Sequence, residues 1–126
     1  MTHFMTEFEM KNYIRDLIDE YRRKLPEYCQ SWEAVAGIAG ISRNSIYDIL
    51  APRAKVKLDT IVMFALALEM SEEDFLILCG YKGYCLKLFI VRDQLIKRSF
   101  AECEYYPDQL NEKLEEHHEK PLLRAV

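Results

Sequence analysis

Between Ser31 and Leu50 the chain reads Ser-Trp-Glu-Ala-Val-Ala-Gly-Ile-Ala-Gly-Ile-Ser-Arg-Asn-Ser-Ile-Tyr-Asp-Ile-Leu, and this stretch leaves few folds open. Two short helical patterns meet at Gly40-Ile41-Ser42. Ser31 is placed to cap the first, its hydroxyl accepting from a backbone N–H that the first turn leaves unpaired. Val35, Ala36 and Ala39 then share one face at helical spacing. Gly40 suits the left-handed residue that ends a helix, because it has no Cβ to clash. Ile41 can fill the gap between the two helices. Ser42 caps the second, whose inner face is Ile46, Ile49 and Leu50. Its other face, Arg43, Asn44, Ser45, Tyr47 and Asp48, is left to solvent or a partner. The pattern is that of a helix-turn-helix, whose second helix presents its N-terminal residues to base edges in the major groove.

The pattern continues beyond this corner. Asp59-Thr60-Ile61 and Ala65-Leu66-Ala67-Leu68-Glu69-Met70 form an apolar fourth helix, with Asp59 as the expected cap and Thr60 to Glu69 as its span. Ser71-x-x-Asp74 resembles a capping box and opens a fifth helix through Phe75, Leu76, Ile77 and Leu78, broken by Gly80 and Gly83. Ahead of the corner, Phe8, Ile14, Leu17, Ile18, Tyr21 and Leu25 make the stripe of a first helix from Thr6 to Lys24, closed by Pro26. Its last turn carries Arg22-Arg23-Lys24, where cations suit the helix dipole.

Over residues 8–81 the chain strongly resembles the DNA-binding domain of the Cro and phage-repressor family of bacterial regulators, the XRE family. The resemblance implies an all-α protein. Residues 1–83 would form a five-helix helix-turn-helix domain, and 84–126 a C-terminal helical extension. It also implies sequence-specific binding to a double-stranded DNA operator by a homodimer, in transcription regulation with repression as the default, without a cofactor. Three positions depart from the family pattern. Trp32 stands where a glutamine is usual, Ala51-Pro52 replaces a glycine-containing turn, and Asp48 puts a negative charge on the reading face.

The contacts implied for that face follow from side-chain chemistry. Arg43 can pair bidentately with guanine and Asn44 with adenine. Ser45 can reach a base or a phosphate. Tyr47 can meet a sugar or a thymine methyl, or pack beside Pro52. Asp48 can accept from a cytosine amine, or pair with Arg53 and aim it at phosphate. Ser31, Trp32, Ser42, Arg53, Lys55 and Lys57 are the phosphate-side candidates, from helix N-termini and the loop after the reading helix.

Charge argues for a local rather than a global footprint. The net charge is −4. Residues 1–68 carry nine Lys/Arg against nine Asp/Glu, and residues 69–126 eight against twelve. The acidic excess therefore lies in the C-terminal half, away from the reading edge. Phosphates neutralised at the contact decide affinity, not the total charge. The acidic balance, Trp32 and Asp48 also favour a second reading: a protein-binding module on the same scaffold, antitoxin- or antirepressor-like. A regulatory protein or peptide is a further expected partner.

In the extension, Leu88, Phe89, Leu95, Ile96, Phe100 and Cys103 predict a sixth helix over about 86–101. A polar seventh over 108–119 uses Leu110 and Leu114, and Pro121-Leu122-Leu123 follows. This tail is similar to the extensions of short regulators from low-GC Gram-positive bacteria. Its apolar excess at 86–91 and Tyr105-Tyr106 serves either to associate two copies or to cover helices one and five.

Other classes are poorly served. The four cysteines show no C-x-x-C pairing, and His117-His118 lack partners at zinc-ligand spacing. There is no Gly-rich phosphate loop and no Cys–His pair with an orienting acid, so an enzyme is not expected. Apolar runs are too short to span a bilayer, and the N-terminus lacks the pattern of a signal peptide. A cytoplasmic protein without metal is the expectation.

Overall fold

The computed structural model describes residues 5–122. They form seven α-helices and one short 3-10 turn, with no strand among them. The order is α1 (Glu7–Arg23), the 3-10 turn (Glu27–Cys29), α2 (Trp32–Ala39), α3 (Arg43–Leu50), α4 (Leu58–Ala67), α5 (Glu72–Tyr81), α6 (Val91–Ala101) and α7 (Pro107–Glu116).

Four helices begin alike. The hydroxyls of Thr6, Ser31, Ser42 and Ser71 accept from the N–H of Glu9, Ala34, Ser45 and Asp74. Each satisfies a donor that the first turn leaves without an intrahelical partner. The helix ends also share a device. Gly40 adopts φ 70° and Ile41 N–H reaches back to the Ala36 carbonyl at 3.1 Å. The same backward bond closes α4 from Met70 to Ala65, α5 from Tyr84 to Cys79, α6 from Glu104 to Ser99 and α7 from Glu119 to Leu114. The left-handed residue is Gly83 after α5, but Glu69, Cys103 and His118 after the other three. Non-glycine residues hold that conformation only because the closing bond and packing outweigh the strain.

The core is organised around α4. Ile61 to Leu66 are six consecutive buried residues, so this helix has no solvent face along that run. It is packed by α2, α3 and α5, while α1 closes against α3 and α5. Ile14 and Ile18 enter from α1, Val35 and Ala36 from α2, and Ile46 and Ile49 from α3. The same core continues into the last two helices through Leu95, Ile96, Phe100, Leu110, Leu114 and Leu122. Phe75 of α5 and Phe100 of α6 stack at 3.9 Å between ring centroids, 8° from parallel. Buried Asn111 accepts from the backbone N–H of Leu122 at 2.7 Å and fixes the end of the described chain on α7.

Several expectations need correction. Asp59 is not the cap of α4: the helix begins at Leu58, two residues earlier than expected, with Lys57 as its boundary residue and no side-chain cap. Asp59 lies in the first turn instead, and accepts from Arg92 of α6 at 2.8 Å. Gly80 lies inside α5, which runs on to Tyr81. The sixth helix starts at Val91, not near 86, and α7 stops at Glu116. Leu88 and Phe89 sit in a turn and are 69 % and 80 % exposed, so their spacing continued the helical pattern without taking part in it. Phe8 belongs to α1 but faces outward. Leu123 lies outside the described residues.

No described helix is long and apolar enough to cross a membrane.

Candidate nucleic-acid interface

Because Ile46 and Ile49 are drawn into the core, the opposite face of α3 must point outward. Arg43, Asn44, Tyr47 and Asp48 are all exposed there, and Ser45 is half-buried at the edge. The candidate base-reading residues therefore share one face. Ser45 also serves the start of its own helix: its N–H donates to the Ser42 hydroxyl at 3.1 Å, and the two hydroxyls lie 2.9 Å apart. Arg43 reaches across the corner to the Glu33 carboxylate of α2, with its guanidinium 5.9 Å from the Tyr47 ring centre. The Glu33 carboxyl is held below the ordinary glutamate range by its own backbone N–H and by Arg43.

The phosphate-side candidates divide. Lys55 and Lys57 are exposed on the loop between α3 and α4, and neither makes an ion pair among the described residues. Arg53, from the same loop, does not pair with Asp48. Its Nε and Nη2 donate to the two oxygens of Glu7 at 2.9 and 3.1 Å, a two-pronged pair with the first turn of α1. Hydrogen bonding to Arg53 lowers the Glu7 pKa and raises that of Arg53. The hydroxyls of Ser31 and Ser42 are engaged as helix caps at the start of α2 and α3. Trp32 is half-buried against the core, and the Arg22 guanidinium lies over its ring at 4.1 Å. Arg22 also pairs with Asp19 at 3.0 Å, so this last-turn cation braces α1 against the start of α2.

The far end of α3 is clamped by residues with no sequence signal for the task. Lys82 Nζ donates to the carbonyls of Asp48 and Ala51 at 2.8 and 2.6 Å. The Tyr81 hydroxyl donates to the Leu50 carbonyl at 2.7 Å, and that of Tyr84 to Val56 at 2.6 Å. A cation at a helix C-terminus meets carbonyls that have no intrahelical donor. Partial burial lowers the Lys82 pKa, and the nearby Asp48 charge opposes that shift. The angle of the outward face of α3 is thus set from the end of α5.

Sequence reasoning passed over Glu7 and Lys82, and did not read the pairing of Glu33 with Arg43. The described residues contain no group of three or more His, Cys, Asp or Glu placed to hold a metal ion. No protein-family model, curated protein or solved structure matches this chain.

Proposed function

We propose that this chain is a sequence-specific regulator of Cro and phage-repressor type that reads double-stranded DNA with α3 in the major groove. α1 to α5 are the five helices of its helix-turn-helix unit. The observation that carries the reading is the outward face of α3. Arg43, Asn44, Tyr47 and Asp48 project together from a helix anchored by Ile46 and Ile49, beside the basic loop Arg53, Lys55 and Lys57. Such a helix supplies donors and acceptors for base edges, and the loop supplies cations for the flanking phosphates. It acts in the cytoplasm, as a homodimer on two half-sites about one helical turn apart. The exposed apolar run Leu88, Phe89, Ile90 and Val91 before and at the start of α6 supports self-association, since exposed apolar patches favour interfaces. Occupying a promoter needs no further contact, so repression is its default action.

Selection of bound duplexes from a random pool at moderate salt tests the proposal. An enriched inverted repeat supports a dimeric reader and gives the half-site spacing. If nothing is enriched even at low salt, the second reading takes its place: a protein-binding module on this scaffold. That reading is favoured by the acids already paired to Arg43 and Arg53. Arg43→Ala separates the two, because only a DNA reader loses duplex binding while fold and oligomeric state stay intact.

A further inference from the structure

Two of the cations that α3 and its loop offer to a duplex already hold carboxylates of the same chain. Arg43 is bound by Glu33 and Arg53 by Glu7. The two pairs are independent, since they join different elements: α2 with α3, and α1 with the loop after α3. Nor are they alike in form. Glu33 takes one arm of Arg43, while Glu7 takes Nε and Nη2 of Arg53 together. That two-pronged geometry is the one a guanidinium uses for phosphate. Both carboxyls have pKa values below the ordinary glutamate range, so both are ionised wherever the protein would meet DNA.

We propose that Glu7 and Glu33 are built-in competitors for DNA: internal anions that occupy the duplex-facing arginines and must be displaced on binding. The inference rests on α3 being a DNA reader. Displacement works against binding twice. The ion pair is lost, and the released carboxylate, tethered to α1 or α2, stays close to the DNA group that replaced it: a phosphate at Arg53, a base edge and its flanking phosphates at Arg43. Phosphate contact supplies essentially all of non-specific affinity. A backbone-only encounter gains little beyond what Glu7 and Glu33 already provide. A site that adds base contacts through Asn44, Ser45 and Arg43 offsets the exchange. The competitors therefore lower occupancy of arbitrary DNA more than they lower the usefulness of a matched site. Lys55 and Lys57, which carry no such partner among the described residues, make the first encounter.

The test is a double-mutant cycle on the full chain, read as fluorescence anisotropy at two salt concentrations. The probes are the duplex recovered by selection and a scrambled duplex of equal length. Glu7→Gln and Glu33→Gln are each expected to tighten binding about two- to five-fold, the scale of an exposed ion pair. The double variant should show roughly the product, because the pairs share no partner. The gain from Glu7→Gln should vanish in an Arg53→Ala background. Glu115→Gln, the same charge change on α7, should give a smaller gain than either, which separates local competition from the general field. Unchanged affinity in the two Gln variants overturns the proposal, as does a Glu7→Gln gain that survives Arg53→Ala. Weaker binding by Glu33→Gln overturns it for that pair and makes Glu33 a residue that aims Arg43. If neither wild type nor any variant binds either duplex at low salt, DNA reading itself fails and the proposal with it.

Discussion

At the scale of single residues, burial separates the cysteines more sharply than sequence does. Cys79 is buried in α5 and its thiol is pushed up to about 12, chiefly by desolvation and then by the Asp93 charge. Cys85 and Cys103 are exposed, and Cys29 is half-buried. The thiolate is the reactive form. Iodoacetamide at neutral pH, followed by mass spectrometry of the intact fold, should label Cys85 and Cys103 first and spare Cys79 until the protein is denatured. Labelling of Cys79 at the rate of Cys85 would mean that α5 opens readily. Positive φ offers a second case. His118 follows α7 at φ 59°, where a side chain is strained. His118→Gly should stabilise the fold by about 0.5–1 kcal/mol, strain relief exceeding the entropy glycine adds to the unfolded chain. Urea melts would show it; a lower midpoint would mean that the imidazole packs in a way that outweighs the strain.

At the scale of elements, what could be read from sequence was what is local. The serines at 31, 42 and 71 act on N–H groups three residues ahead, and Gly40 ends its own helix, so each leaves its mark in a short window. Glu69, Cys103 and His118 do the work of Gly40 without being glycine, and nothing in composition announces it. Asp59 looked like a cap because it is an acid before an apolar run. Its tertiary partner Arg92, 33 residues away, decided its role. The outward face of α3 was legible from period and polarity, but the bonds that Glu7 and Lys82 make beside it were not: they span 46 and 34 residues. Leu88 and Phe89 misled for a different reason: apolar spacing at 3.6 residues marks a helix only where that face is covered. The largest side chains at the α5–α6 joint are the stacked pair Phe75 and Phe100. Phe100→Ala should cost about 3–5 kcal/mol through lost burial and the cavity beside Phe75. Chemical denaturation measures it, and a loss under 1 kcal/mol would mean the two helices re-close.

At the scale of the whole molecule, ion pairs tie distant parts together at the surface. Glu7 with Arg53, Glu33 with Arg43 and Glu104 with Lys113 each lower a carboxyl pKa. A carboxyl that is more acidic in the folded state binds fewer protons than in the unfolded chain, so its contribution is complete above the unfolded value, near 4.3. It is lost as the pH falls through the lower folded value. The thermal midpoint should therefore be flat from neutral pH down to about 5 and decline below that range. The three pairs are exposed, so the decline attributable to them should be gentle and shrink in high salt. A midpoint that fell between pH 8 and 6 instead would point to a group other than these carboxyls.

The clamp on α3 has a consequence for how such a chain can vary. Tyr81, Lys82 and Tyr84 hold the carbonyls of Leu50, Asp48, Ala51 and Val56, and the same few residues are the bridge by which the backbone leaves α5 for the last two helices. One residue inserted in the final turn of α5 would swing the first two of these by about 100° and take them off their acceptors. Loops elsewhere can grow at little cost. Here the number of residues is itself part of the fold: side chains on the outward face of α3 can be exchanged without touching the clamp, whereas a change in the count of residues in the last turn of α5 breaks it.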